Sequence, residues 1–320
     1  MSKRNMLLFI NEYVTRTLKA IGATNDETVL TGSIKRWFID SVVRHYARSD
    51  VVKERIKLAR EISQKFIDAL YGAGFYVVVI DAKLVSPGIV GISSGPLHGV
   101  LEVGISWDYV IDVPFIPASS IKGCVRSFVE LYCNECDDIV GKLFGLGGEG
   151  GVAGLLIFLD AYPIKAGEPP IEGRDGRLRG FLEPDIVTPH YFSGGKAIDF
   201  EYNVRPVQVP QVCIARGTVF RFIVGIEPSS DAIESLNKLL ETLGGSKSGS
   251  NPGSATLALL KHVFRYGIGA RTSRGYGLFE IERFSVSCGG GSYSTPVLFH
   301  PRLKRKGRRG PKGGDVGGSR

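Results

Sequence analysis

The order of the apolar segments constrains the fold of this chain more than any other feature. In the first 72 residues, apolar positions such as Val52, Ile56 and Ala59 recur at spacings of three and four, which predicts amphipathic helices. Phe75–Ile80 follows a glycine-rich break and is short, β-branched and aromatic, which predicts a first strand. We expect further strands over 154–161, 218–226 and 277–284, helices over 119–132, 231–243 and 255–265, and an irregular, proline-containing stretch over 162–216.

Without the helical preface and the long loops, the order is strand, helix, strand, strand, helix, strand. This is the βαββαβ ferredoxin-like arrangement, which RRM-type RNA-binding modules share. We therefore predict an α+β fold with a ferredoxin-like/RRM-like core, an N-terminal helical extension and long loop insertions. The predicted division is a helical extension over 1–74, a ferredoxin-like domain over 75–300 and a disordered basic tail over 301–320.

Positive charge is concentrated at the two ends of the chain, whose net charge is +8. Residues 301–320 carry eight basic side chains and one acid, and residues 1–72 carry thirteen basic and eight acidic ones. The remaining body, 73–300, therefore has nineteen basic and twenty-three acidic residues. Such polarity favours a polyanionic partner that is engaged by particular surfaces. The alternative is a solvated tail that only aids solubility.

The five cysteines fit a reducing cytosol better than a disulfide framework, and we expect a cytoplasmic protein. Cys133 and Cys136 form a lone C-x-x-C with no second pair, so we predict neither a metal nor a cofactor. No segment approaches the roughly 20 apolar residues that span a bilayer, and no membrane partner is expected.

The segment GIGARTSRGYG, residues 267–277, contains four glycines and two arginines. Its spacing fits neither a Walker A loop nor a dinucleotide fingerprint. Glycine lets a phosphate approach the backbone closely, and arginine offers a bidentate fork, so the loop suits phosphate oxygens. The alternative is a glycine-rich turn into the final strand. The binding candidates are Gly267, Gly269, Arg271, Thr272, Ser273, Arg274, Gly275 and Tyr276.

A second candidate phosphate site is the segment IPASSIKGCVRS, residues 116–127. Ser119 and Ser120 are expected to cap a helix whose first turn carries Lys122, with Gly123 next and Arg126 one turn later. Free amides, the positive helix end and two cations together favour a phosphate. A capped helix with two surface cations is the alternative.

Five segments occur in an order that resembles the RAMP superfamily of CRISPR-associated proteins, and most specifically RAMP subunits of type III-B Cmr complexes. The resemblance covers about residues 75–284. This chain has Ala118 where the family usually has glycine before the two serines, which affects the expected geometry of that turn. The segments are IPASSIKGCVRS, LFG (143–145), GLLIFLDAYP (154–163), DIVTPHY (185–191) and GIGARTSRGYG.

The resemblance implies a non-catalytic subunit of a ribonucleoprotein, with CRISPR RNA, target RNA and other RAMP subunits as partners. It implies contact with the guide backbone toward its 3′ end, through the glycine-rich loop and through the helix that carries Lys122. The DIVTPHY segment adds His190 and Tyr191 as RNA-binding candidates.

Two other functions remain open. His190 could serve as an acid or base in a metal-independent RAMP endoribonuclease, although no second histidine is placed to assist it. Alternatively, a general RNA chaperone could use the basic tail to engage up to eight phosphates. We expect that this chain is not an enzyme.

Overall fold

The structure, a computed structural model, describes most of the chain in twelve ranges. Seven helices and fourteen strands lie in them, together with short 3-10 turns at Pro96–Gly99 and Thr272–Arg274. The described ranges are 4–21, 27–92, 95–101, 103–133, 136–148, 151–173, 176–187, 192–193, 196–197, 208–243, 252–288 and 291–293.

The helices confirm the predicted helical start and the two helical segments of the core. They are α1 (Met6–Ile21), α2 (Glu27–His45), α3 (Ser49–Gly72), α4 (Ala118–Tyr132), α5 (Asp137–Phe144), α6 (Ser230–Thr242) and α7 (Pro252–Tyr266). None of these described helices is both long and apolar enough to cross a bilayer.

The strands form one large sheet and several small hairpins. They are β1 (Tyr76–Leu84), β2 (Trp107–Asp108), β3 (Val113–Pro114), β4 (Leu156–Phe158), β5 (Tyr162–Lys165), β6 (Glu172–Gly173), β7 (Gly176–Arg177), β8 (Leu182–Val187), β9 (Phe192–Ser193), β10 (Lys196–Ala197), β11 (Val209–Ile214), β12 (Val219–Ile226), β13 (Phe279–Cys288) and β14 (Gly291–Tyr293).

The large sheet has the order β14-β13-β1-β12-β4, and β5 also pairs with β12. All of its pairings are antiparallel. Counted along the chain, the core strands stand in the spatial order fourth, first, third, second, with a helical segment after the first strand and another after the third. The predicted α+β, ferredoxin-like core is therefore confirmed.

Helices cover both faces of this sheet because its central strands are apolar on both sides. Val78 and Ile80 of β1 point into the main core, which also holds Phe222 of β12 and Phe264 of α7, whose ring centroids lie 4.7 Å apart. Val77 points the other way and packs with Ile223 and with Leu70 of α3.

A buried carboxylate joins the N-terminal helices to the body. Asp112 is 2% exposed and has a left-handed φ of 60°. Its Oδ1 accepts hydrogen bonds from the Met6 amide at 3.0 Å, the Tyr46 hydroxyl at 2.7 Å and the Trp107 indole at 3.1 Å. Its Oδ2 lies 3.2 Å from the Arg55 guanidinium. Asp112 therefore binds to groups from α1, α3, β2 and the end of α2.

Two expectations about strands are wrong. The stretch 162–216 is not simply irregular, because β8 and β11 pair from Val187↔Val209 to Leu182↔Ile214. The strand expected over 154–161 is interrupted after Phe158, and β5 begins only at Tyr162. Asp160 lies in that interruption, where its carboxylate accepts a hydrogen bond from the first amide of α4, that of Ala118.

The sulfurs of Cys133 and Cys136 lie within bonding distance of each other between α4 and α5. The expectation of a reducing compartment stays a prediction. Cys124 and Cys213 are free. The predicted basic tail over 301–320 lies entirely outside the described residues.

We predict that Asp112→Ala lowers the free energy of unfolding by about 3 kcal/mol, because it leaves a buried guanidinium and a buried hydroxyl without their acceptor. Chemical denaturation of the full chain measures the change. Asp112→Asn, which keeps an acceptor and tolerates the left-handed backbone, is expected to cost less. Asp40→Ala, which removes an exposed ion pair with Arg44, is the control and should leave the midpoint near wild type. If the denaturation midpoint of Asp112→Ala equalled that of this control, the role of Asp112 as a stabilising buried acceptor would be contradicted.

Candidate nucleic-acid interface

The glycine-rich loop, residues 267–277, is held at both ends by backbone hydrogen bonds. The Ile268 amide donates to the Gly277 carbonyl at 2.9 Å, which closes the loop on itself. The Ala270 amide donates to Ile89 at 2.8 Å, and the Gly277 amide donates to Pro87 at 2.9 Å. The loop therefore lies against the segment 86–92 that follows β1.

Three of its glycines are required by this packing. Gly267 has a φ of +91°, and a Cβ there would lie 2.8 Å from the Tyr276 carbonyl oxygen. Gly269 has a φ of +106°, and a Cβ there would lie 2.2 Å from the Ile89 carbonyl oxygen. Gly277 has a φ of +68°, and its Cβ would meet the Ile268 carbonyl oxygen at 2.2 Å. The glycine content is therefore partly structural, in line with the alternative of a turn into the final strand. Gly275 differs, because it has a φ of +84° with no neighbour within 4 Å of a Cβ.

The outer part of the loop presents backbone amides. Arg271 has a left-handed φ of 60° and precedes the 3-10 turn Thr272–Arg274. Among the described residues, no acceptor is seen for the consecutive amides of Arg271, Thr272 and Ser273. Successive amides in such a turn form a concavity suited to an anion. Ser273 and Arg274 are exposed beside it.

The start of α4 differs from the sequence prediction. Its N-cap is Pro117, which has no capping side chain, and the Ala118 amide donates instead to the Asp160 carboxylate at 2.7 Å. Ser119 and Ser120 therefore lie within the first turn and do not cap it. Because Asp160 already supplies an anion at this helix end, a phosphate cannot use the Ala118 amide. The hydroxyls and Lys122 remain as candidate ligands.

The structure brings α4 and the glycine-rich loop together. Burial raises the pKa of the Cys124 thiol, and a hydrogen bond from the Gly269 backbone opposes this shift, so Cys124 of α4 lies against the loop. Lys122 lies near the start of α4, and Arg271 follows Gly269 by two residues in the loop. Neither side chain forms an ion pair within the described part of the chain.

Arg126 is directed elsewhere. Its Nε lies 2.7 Å from the Glu130 carboxylate one turn later, and its Nη1 is 3.4 Å from the Gly145 carbonyl oxygen at the end of α5. Arg126 therefore connects α4 to the end of α5. Gly123 is exposed on α4, and no atom lies within 4 Å of where its Cβ would be.

Tyr276 attaches the loop to the hairpin of β8 and β11. Its hydroxyl donates to the Asp185 carboxylate at 2.7 Å, and Gln211 Nε2 donates to the same oxygen at 2.9 Å. Burial alone would raise the pKa of Asp185, but hydrogen bonds from Tyr276, Gln211 and Cys213 outweigh it and hold this pKa below its usual value. Asp185 is therefore an anchoring carboxylate.

Two of the predicted binding residues lie outside the described part of the chain, and some residues of the interface were not predicted. His190 and Tyr191 lie outside the described residues. The carbonyls of Pro87 and Ile89 and the carboxylates of Asp160 and Asp185 were not predicted as parts of this site. The last two belong to the DAYP and DIVTPHY segments, which the resemblance had marked without giving their acids a role at this site.

We predict that Gly269→Ala destabilises the chain, because the new Cβ meets backbone and the φ is unfavourable for alanine. Gly123→Ala is the matched control. It replaces a glycine within a helix, and its new Cβ has open space around it, so it should raise the free energy of unfolding by about 0.5–1 kcal/mol. Thermal unfolding of both variants tests this. Equal melting temperatures for the two would contradict the described loop path.

The Asp185 anchor predicts a pH dependence. A carboxyl whose folded pKa is depressed stabilises the fold above its unfolded pKa of about 3.9, and this contribution is lost as pH falls through the folded value. We expect Tyr276→Phe to cost about 1 kcal/mol near neutral pH and less as the pH falls below about 4. Denaturation of both proteins across pH measures the difference. A cost independent of pH would show that Asp185 is not the acceptor.

Comparison with known proteins gives a consistent result. The family model of the RAMP superfamily matches residues 81–280, from β1 to β13. The CRISPR system CMR subunit Cmr6 of Saccharolobus solfataricus is 29% identical over 243 residues, which cover 74% of this chain and 71% of that protein. A chain in a cryo-EM structure of the type III-B Cmr-beta bound to cognate target RNA shares the fold, with a TM-score of 0.62, 20% identity, and coverage of 89% and 90% of the two chains. Because the family model spans more than half of its length, this chain belongs to the RAMP superfamily.

Proposed function

We propose that this chain is a Cmr6-like subunit of a type III-B CRISPR effector complex that binds the sugar-phosphate backbone of CRISPR RNA without reading its bases. In this role it contacts the guide toward its 3′ end, helps to capture complementary target RNA in antiviral defence, and assembles with other RAMP subunits in the cytoplasm. The similarity to Cmr6 supports the complex, and the shared fold with a chain of an RNA-bound Cmr assembly is in keeping with it.

The observation that carries the RNA contact is the packing of α4 against the glycine-rich loop. Phe128 and Tyr132 of α4 contact Tyr266, the residue before the loop, and Cys124 lies near Gly269. This contact places Lys122 and the open amides of Arg271, Thr272 and Ser273 on neighbouring segments. Amides and cations bind phosphate oxygens irrespective of base identity. A protein that serves guides of many sequences needs such contacts.

The histidine and the acids described near the interface serve the scaffold. His262 is buried, and its ring stacks on Phe128 with centroids 5.7 Å apart, so it supports the core. The Asp160 and Asp185 carboxylates are engaged in anchoring bonds. We therefore propose that the chain positions RNA and does not cleave it.

We predict that Lys122→Ala and Arg271→Ala each weaken binding of single-stranded RNA about fivefold to tenfold, because each removes a charged bond to phosphate. Each should also reduce the slope of log affinity against log salt by about 0.7. Fluorescence anisotropy with the full chain and a labelled guide RNA, titrated at several salt concentrations, measures both quantities. Lys57→Ala on α3, whose ammonium is exposed and 3.9 Å from Glu61, is the matched control.

Deletion of 301–320 separates this proposal from a chaperone role of the basic tail. We expect the deletion to weaken binding modestly and to leave the effects of Lys122→Ala and Arg271→Ala in place. Complete loss of binding on deletion, with no effect of either point variant, would refute the proposed interface. Cleavage of the RNA by the purified wild-type chain would refute the non-catalytic role.

A further inference from the structure

An aromatic cluster lies at the junction between α7 and the glycine-rich loop. Tyr266 is the last residue of α7, immediately precedes Gly267 and is 52% exposed. Its hydroxyl accepts a hydrogen bond from the Tyr132 hydroxyl at 2.9 Å, and the two ring centroids lie 5.9 Å apart. Tyr266 is therefore a large aromatic surface that faces solvent but is held in place.

Other aromatic rings pack against Tyr266 and hold it in place. The centroid of the Phe128 ring lies 5.9 Å from that of Tyr266 and 4.9 Å from that of Tyr132. Phe128 also stacks almost parallel on the buried His262, with an interplanar angle of 6°. The supporting rings come from α4 and α7, so the position of Tyr266 is fixed by two helices and not by the loop alone. A fixed ring loses little conformational entropy when a planar group stacks on it.

The cluster is continuous with the proposed RNA contact. Cys124, Phe128 and Tyr132 follow one another at intervals of four on α4, so they form one face of this helix. Cys124 meets the loop at Gly269, and Tyr132 meets Tyr266, about 12 Å further along the helix axis at 1.5 Å per residue. One seam between α4 and α7 thus connects the open amides to the exposed ring.

The surroundings of the ring suit a nucleic acid strand. Arg265 is exposed directly before Tyr266. The nearby acid Glu130 is neutralised by Arg126 at 2.7 Å. Gly123 and Ser127 are exposed on the same helix, and their small side chains leave room for a strand to lie along it.

We propose that Tyr266, backed by Tyr132, is a stacking platform for one base of the RNA strand whose backbone the loop and Lys122 bind. The proposal rests on the RNA-binding function proposed above and adds a second kind of contact to it. Stacking on an aromatic ring is tolerant of sequence, because every base has a π-face. The platform therefore orients the strand without selecting among guides.

The direct test is photocrosslinking in the complex purified with this chain and reassembled on guide RNA that carries 5-iodouridine at successive positions. Trypsin cuts after Arg265 and Arg271, so Tyr266 is the only aromatic residue of the peptide 266–271. Tyr276 falls in the separate peptide 275–283. We expect a crosslink on Tyr266 from one guide position or two adjacent ones.

The outcomes separate this inference from the function on which it rests. Crosslinks on the peptide with Lys122 or on 275–283, but none on 266–271, would overturn the stacking platform and leave the RNA-binding function intact. No crosslink anywhere on this chain would overturn both. Loss of partner proteins from the complex in Tyr266→Ala, with no wild-type crosslink on 266–271, would show that the ring is a protein contact.

Affinity measurements are a second test of the stacking platform. We expect Tyr266→Ala to weaken binding of single-stranded RNA to the full chain about fivefold to a hundredfold, with no change in the salt slope, because stacking releases no counterions. Tyr266→Phe keeps the ring and should stay within about twofold of wild type. Tyr71→Ala, which removes a tyrosine of 46% exposure on α3, is the matched control. Equal affinities of Tyr266→Ala and Tyr71→Ala would contradict the proposal.

Discussion

The close approach of two backbone segments determines the geometry of the candidate interface. The glycine-rich loop lies so near the segment after β1 that a Cβ at 269 would overlap the Ile89 carbonyl oxygen, and it closes so tightly on itself that a Cβ at 277 would overlap the Ile268 carbonyl oxygen. The hydrogen bonds of Ala270 and Gly277 to this segment fix the path of the loop from both sides. Because its ends are fixed, the outer turn that carries the open amides and Arg271 is held in one position. The proposed phosphate contact depends on this arrangement.

The ferredoxin-like sheet explains why distant segments meet there. Since β1 pairs with both β12 and β13, the segment after β1 lies beside the loop that leads into β13. Acids then stabilise the scaffold around the loop: Asp160 caps α4 and Asp185 holds Tyr276. With those carboxylates engaged, the cations Lys122 and Arg271 are left to meet a polyanion. This division explains how a mildly acidic body could present the surface that we propose for phosphate.

The sequence predicted the helices and the order of the core strands, because their apolar periods are regular and their ends carry glycine or proline. It did not predict the hairpin of β8 and β11, whose strands contain Pro184 and Pro210 and whose partners are far apart in the chain. The cap of α4 was also missed, since local rules favoured Ser119 and Ser120 whereas the fold brings in Asp160. The composition of the loop predicted a phosphate site, which stays a prediction, whereas the structural need for Gly269 became visible only in three dimensions.

The most direct test of the account is purification of the tagged chain from its native cells, with sequencing of the bound RNA and identification of the bound proteins. The account predicts small RNAs that share a repeat-derived 5′ sequence, together with other RAMP subunits. It predicts further that a combined Lys122→Ala and Arg271→Ala variant recovers less of this RNA than wild type. Heterogeneous or ribosomal RNA without RAMP partners, recovered equally by both proteins, would contradict it.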